Sequence, residues 1–231
     1  MSEFGISPSQ KKNWGFVEVI ILLNIIMFIP YLVYYVFRSP NLYVIASYFL
    51  NLNINSPNNF LSVNNGAIWQ IVTGMFMHGS LGHLIFNMYG LYIFGKPLEL
   101  RWGKGRFLTF YLFTGILANV SSVLFYLYTG KSVSLIGASG AIYGVLLAFG
   151  GYFPETRLLL LFLIPIKVKW AILLFTVIEL GLQFANIDTG VAHLTHLFGF
   201  LFSFLYLFLF YKMNPIQKMF FPREEDRYTI R

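Results

Sequence analysis

Residues 190–211 of this chain read GVAHLTHLFGFLFSFLYLFLFY, an apolar run that contains no Lys, Arg, Asp or Glu. A helix of this length, rising 1.5 Å per residue, crosses the roughly 30 Å hydrocarbon core of a bilayer. The whole chain has the same character, because 57% of its 231 residues are hydrophobic and only 11% are charged. Ordinary soluble domains carry roughly 25% charged residues. The composition therefore excludes a water-soluble globular protein and predicts an integral membrane protein.

The segment 190–211 is the last of six apolar stretches with the length and composition of membrane helices. The other five lie at about 19–37, 80–97, 107–128, 138–153 and 170–187. A seventh apolar run, Leu158 to Ile166, is too short to span a membrane and is interpreted as an interfacial hairpin. The longest connection, residues 38–79, contains an interrupted apolar stretch at 67–77 that we expect in the membrane interface. The predicted fold class is all-α, a polytopic membrane protein with a bundle of six transmembrane helices.

The positions of Lys and Arg predict the orientation of this bundle, because basic loops stay on the cytoplasmic side. If the amino terminus lies inside, 14 of the 16 basic residues lie inside, and only Arg38 and Lys131 lie outside. We expect both termini in the cytoplasm, with a cytoplasmic segment at 1–14, a membrane domain at 15–211 and a cytoplasmic tail at 212–231. The net charge of +7 is then a consequence of topology, spread over short loops, and predicts no nucleic-acid partner.

The chain contains no Cys, which excludes thiolate metal sites, iron–sulfur clusters, disulfides and cysteine nucleophiles. Candidates for chemistry are therefore the ionisable and hydroxyl side chains that a hydrophobic chain has little reason to place in lipid. The four His residues fall in two clusters. His78 and His83 lie at the start of the second apolar stretch, and His193 and His196 lie in the first turns of the sixth.

Two further polar residues lie at similar positions in their helices. Ser139 begins the fourth helix and is framed by glycines, and Asn87 lies one helical turn beyond His83, on the same face. In the predicted topology the second, fourth and sixth helices all run from outside to inside. We therefore expect His83, Asn87, Ser139 and His196 at one depth, a turn or two below the outer surface.

Small residues predict which of these helices touch. The fourth helix carries one small-xxx-small pair and the sixth carries another, namely Gly140 with Gly144 and Gly199 with Ser203. Such stripes allow two backbones to approach closely in lipid. His196 lies on the same face as the stripe of the sixth helix, so packing on the fourth helix carries His196 toward Ser139.

An imidazole beside a serine hydroxyl is the arrangement that serine nucleophiles need, because the hydroxyl is weak until a base takes its proton. Attack on a carbonyl also produces an oxyanion that requires preorganised donors. His83 and Asn87 are side-chain donors at the expected depth, and the backbone amide of Ser139 lies at the positive end of a helix. The residues alone thus predict a nucleophile, a base and oxyanion donors in one membrane-embedded site, with no carboxylate required.

In this order the motifs resemble those of bacterial rhomboids, intramembrane serine proteases with a six-helix core. The segment HGSLGHLIFN, residues 78–87, matches the family's H-x4-H-x3-N motif, and residues 137–140, GASG, match its GxSG motif. The segment from His196 to Ser203 matches the H-x-x-G-x-x-x-G motif of its catalytic helix, with Gly199 at the first glycine. The resemblance covers residues from about 15 to 211.

The resemblance implies a role for each matching residue. Ser139 would be the nucleophile, His196 the general base, and His83 and Asn87 the oxyanion donors, together with the amide of Ser139. Tyr143 would stack beneath the catalytic imidazole. The remaining matched positions would support the site, and they are Gly137, Gly140, Gly199 and His78.

The implied activity is hydrolysis of a peptide bond in or next to the transmembrane segment of another membrane protein. Substrates would be single-span or polytopic membrane proteins, reached within the lipid bilayer, and no metal or organic cofactor and no particular oligomeric state are implied. The implied location is the cell (inner) membrane, as a multi-pass protein.

The sequence departs from the family pattern at two positions and offers a candidate at a third. Trp69-Gln70 stands where the family commonly has Trp-Arg, so an Arg that anchors the external connection is missing. Ser203 replaces the last glycine of the catalytic-helix motif, which should still permit close approach. The family's acidic residue after the second helix has a candidate in Glu99, for which we expect a structural role.

Other interpretations of the same residues remain open. Ser139 alone could be a packing residue, and His83 with Asn87 could form an interhelical hydrogen-bonded pair. For His78 a structural hydrogen bond to the external connection is favoured. Glu179 has no partner in the site by sequence, so a structural or cavity-facing role is favoured.

Asp188 could orient an imidazole, but its position in a short loop makes this a minor alternative. Two other functions are also compatible with parts of the sequence. The four His residues could form a transition-metal site in a carrier. A catalytically inactive rhomboid-like protein could bind membrane clients, although such relatives typically lack the Ser or the His.

Overall fold

The computed structural model describes residues 14–57, 60–160, 163–185 and 192–223. The helices are α1 (Phe16–Met27), α2 (Ile29–Phe37), α3 (Pro40–Leu50), α4 (Gln70–Thr73), α5 (Leu81–Gly90), α6 (Lys96–Trp102), α7 (Lys104–Thr129), α8 (Ser139–Tyr152), α9 (Val168–Phe184), α10 (His193–Tyr211) and α11 (Pro215–Phe220). A π-helical turn, Leu91–Gly95, joins α5 to α6. The strands are β1 (Leu52–Ile54), β2 (Val133–Leu135), β3 (Arg157–Leu160) and β4 (Ile164–Lys167).

The long apolar helices confirm the predicted fold class, a helical, multi-pass membrane protein. Within the described residues, three spans have the length and composition to cross a membrane: Phe16–Phe37, Lys104–Thr129 and His193–Tyr211. Helix α8 is equally apolar but shorter. The count of six spans stays a prediction. The ends of two predicted stretches, 186–187 and 190–191, lie outside the described residues.

The first span is divided into two helices. Helix α1 ends at Met27, and α2 starts with Pro30 in its first turn. Proline has no backbone N–H, and its ring crowds the carbonyl one turn earlier, so it starts helices more readily than it continues them. The sequence therefore interrupts the span at this point.

Helix α8 forms the centre of the bundle, packed between α7 and α10. A Cβ added to Gly199 of α10 would lie 2.0 Å from the carbonyl oxygen of Gly140 in α8. Further along the same contact, the hydroxyl of Ser203 donates a 2.8 Å hydrogen bond to the carbonyl of Gly144. These contacts confirm the predicted packing of the two small-residue stripes. They also show how a serine replaces the family's last glycine without separating the helices.

The connection at 38–79 is more ordered than the sequence predicted. It contains a helix, α3, and its strand β1 pairs antiparallel with β2, with Leu52 opposite Leu135. Strand β2 lies just before α8, so this pairing ties the connection to the segment that leads into Ser139. Proline at the first position of α3 fixes the backbone torsion that starts a helix.

Gln70 takes over the anchoring of this connection where the family commonly has Arg. Its side chain is 0% exposed, and its Nε2 donates to the carbonyls of Tyr48 at 2.9 Å and Leu61 at 2.7 Å. Its Oε1 accepts from the backbone amide of Asn53 at 3.0 Å. The neutral amide therefore joins three points of the connection without burying a charge.

Two smaller structural predictions are confirmed. The run at 158–166 belongs to a hairpin, because β3 pairs antiparallel with β4. Hydrogen bonds from Lys167 and Lys169 lower the pKa of the Glu155 carboxyl at the base of this hairpin. Glu99 has the expected structural role, since its carboxylate accepts from the backbone amide of Phe16 at 2.5 Å and from Nζ of Lys96 at 3.1 Å. It thereby caps the amino end of α1.

Candidate active site

The amino-terminal parts of α5, α8 and α10 converge on one site. Ser139 is the first residue of α8, and His196 lies in the first turn of α10. The chain enters α8 through Gly137, whose φ is +113°, a torsion that favours glycine. The amide of Gly137 donates to the carbonyl of Gly74 at 2.9 Å, so the connection at 38–79 holds this entry in place.

Ser139 and His196 are direct hydrogen-bond partners. The distance from Ser139 Oγ to His196 Nε2 is 2.7 Å, and His196 is buried while Ser139 is partly exposed. The ring of Tyr143 stacks on the His196 imidazole, with centroids 4.2 Å apart and planes 8° from parallel. The backbone contact of Gly199 with Gly140 lies one turn further along α10. The register of α10 therefore brings His196, and not His193, to the serine.

His83 and Asn87 lie beside the glycine that precedes this pair. A Cβ added to Gly137 would lie 2.7 Å from His83 Nε2 and 3.6 Å from Asn87 Nδ2. The absence of a side chain at Gly137 thus leaves room for both groups two residues before Ser139. That these residues lie at one depth in the membrane stays a prediction.

His78 contacts Asn87 of α5 and a backbone carbonyl in the connection at 38–79. Its Nε2 lies 3.0 Å from Asn87 Nδ2, and its Nδ1 lies 3.4 Å from the carbonyl of Phe76. An amide nitrogen is a donor, so Nε2 of His78 accepts and its Nδ1 carries the proton. The predicted bond from His78 to the connection at 38–79 is present but long, at 3.4 Å. The shorter bond, at 3.0 Å, orients Asn87. The amide group of Asn87 has a second N–H, which this bond does not use.

The sequence missed a carboxylate in the site. Glu179 of α9 is 5% exposed, and its Oε1 accepts from His196 Nδ1 at 2.9 Å. Its Oε2 accepts from His193 Nδ1 at 2.5 Å, and the Tyr143 hydroxyl donates to Oε1 at 2.5 Å. The sequence alone did not pair Glu179 with the site, whereas in the structure three side chains of the site donate to its carboxylate.

The physical reason for this omission is that one acidic residue in an apolar helix has no periodic partner to indicate which way it faces. The available signal was its occurrence inside an apolar stretch, which by itself marks a functional candidate. His193 is also buried and bonds to the same carboxylate. Asp188 lies outside the described residues.

Comparison with known proteins assigns the chain to a family. The Rhomboid domain family model matches residues 65–213, which include all three motifs. The chain belongs to the rhomboid family.

The most informative relatives are also rhomboids. The rhomboid protein YdcA of Bacillus subtilis (strain 168) is 31% identical over 154 residues, an alignment that covers 64% of this chain and 70% of YdcA. The rhomboid protease GluP of the same organism is 33% identical over 143 residues, covering 61% of this chain and 26% of GluP. Rhomboid-like protein 11, chloroplastic, of Arabidopsis thaliana is 40% identical over 86 residues, covering 37% of this chain and 30% of that protein. The chain thus spans less than a third of the last two relatives.

Within the part of this rhomboid that the structure describes, one group of side chains has the composition of a metal site. The ligand atoms of Glu179, His193 and His196 all lie within 4.8 Å of one another. His78 and His83 are not part of this group, so the four-imidazole site considered from the sequence is not formed as such. Both imidazoles already donate to the carboxylate, which satisfies the group by internal hydrogen bonds.

The arrangement has the parts that acyl transfer requires. A serine hydroxyl touches the nitrogen of an imidazole, and that imidazole is held on its other nitrogen by a carboxylate and on its face by a tyrosine ring. Two side chains with N–H groups lie beside the residue that leads into the serine. Such a constellation fits a nucleophile, a base and an oxyanion site.

Proposed function

We propose that this rhomboid is an intramembrane serine endopeptidase with Ser139 as its nucleophile and His196 as its general base. The observation that carries the proposal is the 2.7 Å contact between Ser139 Oγ and His196 Nε2. It is supported by Tyr143, whose stacked ring restricts the imidazole to the orientation that faces the serine. Membership of a family of membrane proteases supports the same reaction class.

The proposed reaction proceeds by acylation and deacylation. Ser139 Oγ attacks the carbonyl carbon of the scissile bond while its proton passes to His196 Nε2. The C–N bond then breaks, and the imidazolium returns that proton to the departing amine. Water next attacks the acyl-enzyme, giving one proton to His196 Nε2 and releasing the new carboxyl end as Ser139 recovers its hydrogen.

The oxyanion formed in each step would be bound by three donors, namely His83, Asn87 and the backbone amide of Ser139. The first two lie beside Gly137, and the third lies at the start of α8, where the helix dipole favours negative charge. The hydrogen bond from Asn87 to His78 would hold the amide group in position.

The proposed substrates are single-span or polytopic membrane proteins, cleaved in or next to a transmembrane segment. An intact helix hides its carbonyls in hydrogen bonds, so the substrate must unwind near the cut. We further propose that the site lies toward the outer side of the bacterial inner membrane, with both termini cytoplasmic. In that orientation, 1–14 and 212–231 flank a membrane domain at 15–211.

The test is cleavage of a panel of single-span substrates by the purified protein in detergent. Ser139→Ala and His196→Ala should both abolish cleavage, while intrinsic fluorescence melting shows that both variants remain folded. A serine-directed phosphonate probe should label the wild type and not the Ser139→Ala variant. Equal labelling of the two would refute the proposal.

The two remaining functions predict different results in the same experiment. An inactive client-binding protein would bind the substrates but release no fragments, in the wild type as in the variants. A metal carrier would contain stoichiometric metal by elemental analysis. A chelator would then remove this metal equally from the wild type and from the Ser139→Ala variant.

A further inference from the structure

Glu179 is exceptional within its helix. It is the only buried residue of 173–185, a segment that the structure describes completely, and its neighbours Ile178 and Leu180 are 44% and 39% exposed. Beyond its first turns, where Val168, Ala171 and Ile172 are buried, helix α9 thus buries a single side chain, and that side chain is a carboxylate. An ionised carboxylate withdrawn from water is costly unless several donors satisfy it.

Three donors converge on this carboxylate. His196 and His193 both approach with Nδ1, one at each oxygen, and the hydroxyl of Tyr143 donates to the oxygen that His196 also uses. A carboxylate only accepts, so each imidazole must carry a proton on Nδ1. For a neutral His196, this leaves Nε2 unprotonated and facing Ser139 Oγ. That is the one tautomer in which His196 can remove the serine proton.

We propose that Glu179 is a positioning residue of the catalytic centre, which fixes the reactive tautomer of His196 and stabilises the imidazolium formed during attack. The proposal rests on the proposed function, and it extends the pair of Ser139 and His196 to a triad with an acidic member contributed by α9. The proton taken from Ser139 stays on His196 Nε2, and Glu179 remains ionised throughout.

His193 and Tyr143 have a supporting part in this arrangement. Without them, His196 would be the single donor to a buried carboxylate, which would then be poorly compensated. With them, each oxygen is bonded, and the Tyr143 side chain contacts both the carboxylate and the face of the His196 ring. The hydrogen bonds of this cluster are therefore all made when His196 is protonated on Nδ1, the tautomer that the reaction needs.

The competing explanation is that Glu179 only fastens α9 to the bundle. A fastening role predicts that changes at Glu179 lower stability, and that the folded fraction keeps its turnover. A positioning role predicts a loss of kcat in fully folded protein, with KM little changed. Loss of the orienting carboxylate in other serine proteases lowers kcat by about 10⁴-fold.

The experiment compares Glu179→Gln and Glu179→Asp with a matched control, Glu99→Gln. The control removes another buried carboxylate, the one that caps α1. We expect Glu179→Gln to lower kcat by about 10²- to 10⁴-fold with KM within a few-fold of wild type. Glu179→Asp should retain more activity than Glu179→Gln because it keeps the charge. Glu99→Gln should lower the melting temperature and leave kcat per folded molecule unchanged.

A second readout measures the tautomer itself, which a fastening role would not change. Protein labelled with ¹⁵N-histidine contains only four His residues, and variants at the other three assign the His196 signals. We expect the wild type to carry its proton on Nδ1 of His196, and Glu179→Gln to populate the Nε2-protonated form. A wild-type His196 protonated on Nε2, or a Glu179→Gln variant with wild-type kcat, would overturn the proposal.

The failure of this inference can be told apart from the failure of the proposed function. If Ser139→Ala is inactive while Glu179→Gln keeps full turnover, the protease assignment stands and the triad does not. If Ser139→Ala keeps wild-type activity, the proposed function itself is wrong.

Discussion

Replacing Gly199 by Ala should inactivate the protein through a displacement of helix α10. The added Cβ would lie 2.0 Å from the carbonyl oxygen of Gly140, whereas Cβ atoms essentially never approach a neighbour within 3.0 Å. The two backbones must therefore separate by about 1 Å at this point. Since the obstructing atom belongs to a helix backbone, a rotamer change cannot relieve the contact.

The displacement would lengthen the distance between His196 and Ser139. His196 precedes Gly199 by one helical turn, and its Nε2 is now 2.7 Å from Ser139 Oγ. A separation of about 1 Å carries the two atoms beyond hydrogen-bond distance. Misplacement on this scale costs about 10²-fold in rate, and overpacking of a tight contact costs about 1–3 kcal/mol of stability.

The assay pairs initial cleavage rates with thermal unfolding followed by intrinsic fluorescence. The matched control is Gly181→Ala in α9, where an added Cβ meets nothing within 4 Å. That variant should keep wild-type activity and gain about 0.5–1 kcal/mol, because alanine loses less backbone entropy than glycine in a helix. A Gly199→Ala rate within twofold of wild type would refute the claim that this backbone contact positions His196.

Three other changes give distinct outcomes. Asn87→Ala should lower turnover by about 10²- to 10³-fold with little change in KM, whereas unchanged turnover with lower stability would favour a purely interhelical role. In the same cleavage assay, His193→Ala should leave measurable activity and His196→Ala none, and the opposite order would mean that the register assigned to α10 is wrong. Gln70→Ala should lower the unfolding free energy by about 1–3 kcal/mol, because alanine cannot make the three hydrogen bonds of this buried amide. A chemical unfolding curve identical to wild type would contradict the anchoring role of Gln70.

The parts of the site that the sequence predicted are those encoded by local patterns. Ser139 at a glycine-framed helix start, and the stripe shared by His196 and Gly199, are spacings within one helix. Each spacing fixes a face before any tertiary contact is known. The contact between Ser139 and His196 then followed from the small-residue stripes on α8 and α10. The structure confirms that the two helix backbones approach closely along these stripes.

The parts that the sequence did not predict depend on contacts between segments with no shared pattern. The rotation of α9, which decides where Glu179 points, is set by its tertiary packing against α8 and α10. The same holds for Gln70, whose three partners come from separate parts of one connection: helix α3, strand β1 and the segment at Leu61. Helix α3 was missed because its residues were assigned to the long connection at 38–79, although Pro40 is a recognised helix-start residue.

The energetic cost of burying Glu179, His193 and His196 together explains why these side chains are hydrogen-bonded to one another. One ionisable group inside a membrane protein is expensive, and two imidazoles with a carboxylate would be more so if each needed water. Here every acceptor oxygen of Glu179 meets a donor, and each of those donors belongs to a helix of the central bundle, α8 or α10. The hydrogen bonds that compensate this carboxylate therefore form only when α9 is seated against both helices. The order of the proposed site and the docking of α9 thus share the same three hydrogen bonds. The variants at Glu179 must therefore be judged by turnover per folded molecule and by tautomer together.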